Sequence, residues 1–408
     1  MKTVVMAWRN LLRQKRRTLI TLSALIIGLC GVVIFQGYIS SLMRSFRDST
    51  IRAGIGHVQV AGSPQYFEDG EFNPYAYAVK DPDKVVAGLS GEPGVLAAFP
   101  STGFTSIAGK GEKSLTLLVK GYPPERMFFA PRAGRAPAPG DRFNLGTLLS
   151  GTPPTEGEKD RIVLGETAAR ILEARPGSVI TLMAVLPDGG LNGQDFTVDA
   201  IYRSPGRDKI FAFTDYDTAR DFTGITGAGV VHVLAKGVSD VNGIVAHIPK
   251  GLTVRTWHDL ATYFVQVNTM FNGFLNVIRA IILLVTLFIM ANTMNRIVRE
   301  RMREWGTLRA MGMKKKGILL LVVLEGCLQG IVGAALGIAL GFGLSALLNL
   351  RGGLPFMADG QLVMVRLLPT IQSIWWNVIL AGAFASAASF LPGLRAVRLT
   401  PSECLRQI

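Results

Sequence analysis

Four long apolar stretches stand out in the pattern of hydrophobic and polar positions along the chain. They lie at 19–38, 276–294, 318–350 and 371–391, and each is close to or above the roughly 20 residues that a helix needs to cross a bilayer. The third is much longer, so it must tilt, extend beyond the bilayer or break near its glycines. The pattern predicts four transmembrane helices.

Between the first two stretches the pattern changes to that of a soluble α+β domain. Short β-rich runs alternate with helical periodicities, and turn residues separate them. The predicted strands are 57–61, 115–120, 161–164, 179–186, 196–202 and 230–234, with helices at 83–89 and 166–174. Turn-rich loops are expected at 131–140 and 151–157, and a hairpin tip at 187–190.

Helical spacing also extends beyond the apolar stretches. Val4, Trp8, Leu11 and Lys15 recur at this spacing and predict an amphipathic helix in the membrane interface, the alternative being an ordinary basic flank. Past the first stretch, the apolar stripe continues to Ile51, and a similar stripe at 259–270 precedes the second. These predict two helices that form a rigid stalk, the alternative being loosely ordered linkers.

The predicted fold class is a membrane α-helical protein with four transmembrane helices and an α+β extracytoplasmic domain inserted between the first and the second. The chain then divides into an interfacial helix at 1–18, the first transmembrane helix and stalk at 19–43, the outer domain at 44–270, the second transmembrane helix at 271–296, an inner loop at 297–316, the third transmembrane helix at 317–350, a short outer loop at 351–370, the fourth transmembrane helix at 371–391 and a tail at 392–408.

The charge distribution separates the membrane segments from the outer domain. The chain has a formal net charge of +14, which by itself would allow a nucleic-acid partner. Between Arg44 and Met270, however, 23 Lys and Arg residues face 24 Asp and Glu residues. The basic excess therefore lies beside the apolar stretches, where it is a topology signal, and we expect no nucleic-acid partner.

The basic flanks predict the orientation in the membrane. Residues 2–18 carry six bases and no acid, and residues 296–316 carry eight bases and two acids. With the basic tail, they place both termini and the loop at 297–316 in the cytoplasm of a bacterium, with the chain in its inner membrane. A cleaved signal peptide is the alternative for the first stretch, but no small-residue cleavage site closes it cleanly.

The sequence contains none of the motifs that would make it an enzyme. It has no G-x-x-x-x-G-K-[ST] loop for a triphosphate, no H-E-x-x-H and no G-x-S-x-G, and its four histidines are scattered. We therefore expect no catalytic residues, no metal site and no cofactor bound by this chain.

Two features of the third stretch are candidates for function or packing. Glu325 is a candidate functional acid within the membrane, the alternative being an acid that faces water near the basic loop. Small residues at four-residue spacing predict close helix packing, the alternative being simple tolerance of glycine. These glycines are Gly326, Gly330, Gly333, Gly337 and Gly341; Ala381, Ala385 and Ser389 form a similar row in the fourth stretch.

Several segments resemble one known family. RERMREWGTLRAMGMKKKGI at 299–318 is similar to the loop between the second and third spans of FtsX-like, or MacB-like, ABC transporter permeases. AWRNLLRQKRRTLITLSALIIG at 7–28 resembles the N-terminal segment of that family, and LPGLRAVRLTPSECLRQI at 391–408 resembles its C-terminal end. IVLGETAARIL with PGSVITL at 162–182 resembles a strand–helix–strand of its outer domain.

The resemblance implies a non-catalytic permease subunit that dimerises with a second permease, identical or different, and binds a dimer of a separate ABC ATPase, which carries ATP and Mg²⁺. Family members are thought to convert ATP-driven ATPase dimerisation into movement of the outer domain. The layout and the GHVQV segment at 56–60 look closest to lipoprotein-release permeases of the LolC/LolE type. This implies membrane lipids, and a periplasmic adaptor or lipoprotein carrier, as further partners.

Residues 297–316, called the coupling segment below, meet the demands on a contact for the ATPase. They are mostly strong helix formers up to a break at Met311-Gly312-Met313, local pairs such as Glu300 with Arg303 would hold side chains in place, and Trp305 is an interface anchor. The alternative is that the arginines of this segment only fix the orientation of the chain in the membrane and contact lipid headgroups. The predicted contact residues are Arg299, Glu300, Arg301, Arg303, Glu304, Trp305 and Arg309.

Four functions remain open from the sequence. The leading prediction is extraction of a lipoprotein or lipid from the membrane, by coupling ATP hydrolysis to outer-domain motion. The alternatives are an efflux permease that works with a periplasmic adaptor and a transducer that regulates a cell-wall hydrolase without transporting anything. A receptor without an ATPase is a weaker reading.

Overall fold

The computed structural model describes residues 6–7, 9, 15–70, 75–131, 140–186, 188–204, 209–358, 361–369 and 372–398. The chain forms two compact units, which we call the membrane unit (Met1–Ser45 and Val267–Ile408) and the α+β unit (Phe46–Gln266). The predicted interfacial helix at 1–18 and the last ten residues of the tail fall largely or wholly outside the described residues.

The helices of the described residues are α1 (Lys15–Thr50), α2 (Tyr66–Asp69), α3 (Pro82–Ser90), α4 (Glu166–Ile171), α5 (Tyr216–Thr223), α6 (Val241–Ala246), α7 (Trp257–Leu260), α8 (Thr262–Glu300), α9 (Met302–Ala310), α10 (Lys315–Leu350) and α11 (Gln372–Arg398). Four of them, α1, α8, α10 and α11, are long and apolar enough to cross a membrane. The prediction of four transmembrane helices is confirmed.

The strands are β1 (Val58–Ala61), β2 (Val95–Lys110), β3 (Lys113–Tyr122), β4 (Met127–Ala130), β5 (Phe143–Gly151), β6 (Arg161–Gly165), β7 (Val179–Val185), β8 (Leu191–Arg203), β9 (Phe211–Asp215), β10 (Val230–Ala235), β11 (Thr253–Thr256), β12 (Leu354–Ala358) and β13 (Gln361–Val365). The first eleven form one mixed sheet, inserted in the chain between α1 and α8. The predicted α+β domain is therefore present.

Part of this sheet closes on itself. Strand β2 pairs with β3 and with β7, and the ring continues through β9, β6 and β8 back to β7. Its interior is filled by apolar side chains from every one of these strands, including Phe104, Leu117 and Phe196. A closed ring satisfies the backbone groups that an open edge would expose.

Three of the remaining strands form an open layer beside the ring, whereas β5 and β4 extend the sheet from β8. Strands β11, β1 and β10 pair side by side, and β10 pairs with the first half of β2. The short helices α3 and α6 bury Val85, Leu89, Val241 and Ile244 against this layer. Strand β2 thus belongs to both halves of the α+β unit.

The change of partner in β2 explains why the sequence pattern missed this strand. Its sequence contains Pro100 and two glycines, which are unfavourable in a central strand. Pairing with β10 reaches Ser101 and pairing with β3 begins at Thr102, so Pro100 lies where only one side is paired. The β-propensity of these residues therefore does not predict a strand. The strand forms because β10 pairs with its first half and β3 and β7 pair with its second half.

Several boundaries differ from the predictions. The helix predicted at 166–174 ends at Ile171, because Glu173 adopts a left-handed backbone with φ of 49°. Residue Gly151, predicted to open a loop, is the last residue of β5. The loop predicted at 351–370 contains the hairpin β12–β13, and α11 continues past Pro392 to Arg398.

Candidate functional site

The coupling segment contains one short helix between two long ones. Helix α8 ends at Glu300, the backbone departs from helical angles at Arg301 (φ −100°, ψ 18°), and α9 follows. After α9, Gly312 adopts a φ of 96°, which a residue with a Cβ rarely adopts, and α10 begins at Lys315. The helix and its break at Met311-Gly312-Met313 are where the sequence predicts them.

The indole of Trp305 lies in the interior of the membrane unit. Its exposed fraction is 1%, and it packs in an apolar cluster with Val298 at the end of α8 and with Ile318, Leu321 and Val322 at the start of α10. This corrects the prediction that Trp305 is a surface anchor for the ATPase. The residue instead holds α9 against α8 and α10, and any effect on a partner is through this packing.

The guanidinium of Arg301 joins three side chains. Its Nε donates to Glu304 Oε2 at 2.7 Å, and its Nη1 donates to Glu325 Oε1 at 3.0 Å. The guanidinium carbon also lies 4.9 Å from the centre of the Trp305 ring. A local ion pair at the start of α9 thus joins Arg301 and Glu304, and the predicted pair of Glu300 with Arg303 stays a prediction.

The pairing defines the environment of Glu325. Its side chain is 5% exposed and that of Arg301 is 11% exposed, so the ion pair is shielded from solvent within the chain. The alternative of an acid facing water is therefore wrong for this structure. Because an isolated carboxylate inside a membrane helix is strongly unfavourable, the ion pair with Arg301 stabilises Glu325 there.

The remaining predicted contact residues surround this buried centre. Four of them, Arg299, Glu300, Arg303 and Glu304, are exposed, and Arg309 is half-buried. Helix α9 therefore has one face packed inside the membrane unit and one charged face that is open to a partner. Binding of an ATPase to this face remains a prediction.

The glycines of α10 lie at two different helix contacts. A Cβ at Gly326 would lie 2.9 Å from the carbonyl oxygen of Ala385, and one at Gly330 would lie 2.8 Å from that of Ala381, both on α11. A Cβ at Gly337 would lie 2.9 Å from the carbonyl oxygen of Ile26 on α1. Close backbone approach therefore requires glycine at these positions.

The same contacts establish the relative directions of three helices. Gly326 of α10 lies against Ser389 of α11, and Gly330 lies against Ala381. Residue numbers rise along α10 while they fall along α11, so the two helices are antiparallel. Gly333 faces Leu25 and Gly341 faces Val33, so α10 and α1 run in the same direction. The two rows of small residues noted in the sequence meet each other inside one chain.

An apolar surface that the sequence analysis did not single out lies on the outside of the ring in the α+β unit. Exposed and buried residues alternate along β7, and its exposed residues Val179, Met183 and Val185 share a face with Ile107 and Leu191. Their exposed fractions run from 46% to 78%. The run VITLMAV is apolar at almost every position, which is the signal that both faces of this strand are apolar. We call these five residues the β7 face.

The metal-ligating side chains of the described residues do not cluster. Among them there is no group of three or more His, Cys, Asp or Glu side chains that could hold a metal ion. In the most buried histidine, His232, Nδ1 donates to the Ile55 carbonyl at 3.2 Å and Nε2 accepts from Ser101 Oγ at 2.8 Å, and rings of Phe99, Tyr122 and Phe143 surround it. This is the environment of a structural histidine.

The fold defines a polytopic membrane protein with one α+β domain inserted after its first helix. Comparison with protein families finds the MacB-like periplasmic core domain at residues 18–250 and the FtsX-like permease C-terminal domain at residues 276–401. The first match covers more than half of the chain, so the protein belongs to the FtsX-like, MacB-like family of ABC transporter permeases. Members of this family are membrane subunits of ABC transporters that work with an ABC ATPase.

The solved structures that are similar to the chain include two outer domains of transport proteins. The periplasmic region of MacB from Actinobacillus actinomycetemcomitans is 13% identical, with a TM-score of 0.35, and the match covers 52% of this chain and 94% of that one. The extracellular domain of the noncanonic ABC-type transporter YknZ from Gram-positive bacteria is 13% identical, with a TM-score of 0.33, and the match covers 49% and 100% of the two chains. No curated protein matches the chain.

Proposed function

We propose that this permease transmits the force of ATP hydrolysis by a separate ATPase dimer to its α+β domain, on the far side of the inner membrane. The observation that carries the proposal is the two-faced helix α9. Its buried face binds α8 and α10 through Trp305, and its exposed face carries Arg303 and Glu304. A short, internally anchored helix of this kind passes a push from a partner to the helices behind it. The chain itself binds no cofactor in this proposal; ATP and Mg²⁺ belong to the ATPase.

We further propose that the transported molecule is a lipoprotein or a lipid. The β7 face supports this, because it presents five apolar side chains on the surface of the α+β unit. Exposed apolar groups of this number on one face indicate an apolar ligand or partner. The apolar side chains of the β7 face would bind an acyl chain, or the apolar surface of a carrier that accepts an acyl chain. A second permease copy, identical or different, completes the transporter.

The proposal is tested by purifying the chain from its native membranes in mild detergent and identifying the proteins that accompany it. We expect an ABC ATPase in stoichiometric amount. The complex is then placed in liposomes that contain a fluorescent triacylated lipopeptide, and ATP-dependent release to an acceptor is measured. Co-purification of a periplasmic adaptor without lipopeptide release would favour efflux, and co-purification of a cell-wall hydrolase would favour regulation.

A pair of variants separates the β7 face from general damage. Leu191→Asp places a charge in the β7 face and should lower lipopeptide release at least tenfold while ATP hydrolysis continues. Leu96→Asp is the matched control, because Leu96 is also exposed but lies at the opposite end of β2 from Ile107. Equal release by both variants would contradict the assignment of the β7 face.

A further inference from the structure

Helix α9 is attached to α10 in three ways. The turn at 311–314 joins them in sequence, the apolar cluster around Trp305 packs between them, and the ion pair from Arg301 to Glu325 joins them beside the start of α9. Helix α9 spans nine residues, or about 13 Å, and Glu325 lies ten residues from Lys315, or about 15 Å along α10. These lengths match, so the two helices lie side by side and the ion pair closes the end opposite the turn.

The turn holds the C-terminal end of α9. Its backbone is closed by hydrogen bonds that Gly312 and Met313 donate to the carbonyls of Arg309 and Leu308, and the Met313 side chain packs against the Trp305 cluster. Gly312 has a left-handed backbone, and Met311 beside it is 76% exposed. These contacts all lie at one end of α9, so the other end needs an attachment of its own to move together with α10.

The ion pair attaches the N-terminal end of α9 to α10 beside a close contact between α10 and α11. Glu325 is followed by Gly326, whose backbone touches Ala385 and Ser389 of α11. Displacement of Glu325 therefore acts on the α10–α11 contact directly. A charged pair shielded from water also resists separation, because parting it leaves two unsolvated charges.

Resting on the function proposed above, we infer that the Arg301–Glu325 ion pair is the link through which movement of α9 reaches the membrane helices. Arg301 and Glu325 are positioning residues in this inference, and neither contacts nucleotide or substrate. Glu304 holds the free side of the guanidinium, and the Trp305 ring supports its face. Without the ion pair, the ATPase still binds α9 and the packing of Trp305 keeps α9 in place, but no fixed link remains to displace Glu325 and the α10–α11 contact beside it.

The test uses the complete complex of permease and ATPase and measures amide hydrogen exchange with and without a non-hydrolysable ATP analogue. In the wild type, nucleotide should change exchange in α9 and in the first three turns of α10. Glu325→Gln keeps the size of the side chain and removes its charge. We expect the change in α9 to persist and the change in α10 to fall at least tenfold, together with lipopeptide release per ATP hydrolysed.

Two further variants separate coupling from stability. Arg301→Gln should lower the thermal midpoint, because it removes the guanidinium from beside a buried carboxyl group, and Arg301→Gln combined with Glu325→Gln should restore it. The double variant should nevertheless remain uncoupled. Leu321→Ala, which weakens the same apolar cluster without touching a charge, is the control and should retain the response of α10.

The outcomes distinguish this inference from the function on which it rests. If nucleotide leaves exchange in α9 unchanged in the wild-type complex, the proposed ATPase contact is wrong. If the wild type responds in both helices and the double variant does too, the contact stands and the ion pair is not the link. If Leu321→Ala abolishes the α10 response as completely as Glu325→Gln does, the apolar cluster carries the movement and the inference is overturned.

Discussion

The buried imidazole of His232 shows how one residue can make the α+β unit sensitive to acid. Its side chain is almost completely inaccessible, and burial lowers its pKa to about 3. The unfolded chain exposes this histidine, which then has a pKa of about 6.5. Between these two values the unfolded state binds a proton that the folded state does not, so stability is full above about pH 6.5 and falls as the pH drops toward 3.

We therefore expect His232 to remove about 2 kcal/mol from the free energy of unfolding of the α+β unit between pH 7 and pH 5. His232→Gln should be less stable than the wild type at pH 7. Acidification from pH 7 to pH 5 should, however, lower its free energy of unfolding by about 2 kcal/mol less than it lowers that of the wild type. Hydrogen exchange of β10 in the full-length protein, corrected for the intrinsic effect of pH, measures the difference. His247→Gln is the control, because that side chain is 58% exposed; identical pH dependence of wild type and His232→Gln would contradict the prediction.

At the scale of helices, the contacts of α10 separate two kinds of glycine. Gly337 touches backbone atoms of Ile26 on α1, whereas a Cβ at Gly343 would meet nothing within 4 Å. Both glycines lie in the same helix, so an alanine at either position has the same favourable effect on helix propensity, about 1 kcal/mol. Only packing distinguishes them.

Gly337→Ala should therefore lower the stability of the membrane unit by about 1–3 kcal/mol, the usual cost of an overpacked contact, and Gly343→Ala should be neutral or slightly stabilising. Thermal unfolding in detergent micelles compares the two variants directly. If glycine is merely tolerated in this row, both variants should have the same thermal midpoint, which would contradict the prediction. If Gly337 instead lies at a contact between two permease copies, Gly337→Ala should change the oligomeric state.

At the scale of the whole molecule, the orientation in the membrane is predicted from charge and is open to direct test. Single cysteines at Asp188 and Thr307 should be labelled from opposite sides, since both positions are exposed and the basic flanks predict that they lie in different compartments. Ser101 is a poor choice for this purpose because it is 4% exposed. An impermeant maleimide should label position 188 in intact cells and position 307 only after lysis.

The native Cys30, Cys327 and Cys404 are replaced by serine for this experiment. The comparison of intact and lysed cells provides the control for accessibility at each position. Labelling of position 307 in intact cells would reverse the predicted topology, and the ATPase contact would then have to be sought elsewhere.

The membrane architecture of this protein could be determined from sequence because it depends on local composition. A segment of about 20 apolar residues becomes a membrane helix wherever it lies in the chain, and the glycine rows of α10 and the small residues of α11 mark their contacts for the same reason. The short α9 and its ending at the Gly312 turn were also predictable, because helix propensity and a left-handed glycine are local properties.

Only the tertiary structure decided which residues meet across long separations in the chain. Strand β2 is unfavourable by propensity and exists because β10, β3 and β7 pair with it. Trp305 looked like a surface anchor and is buried, and Arg301 looked like one of several loop arginines and reaches Glu325 twenty-four residues away. Burial and ion pairing depend on the positions of several helices at once, and no pattern along a single segment contains that information.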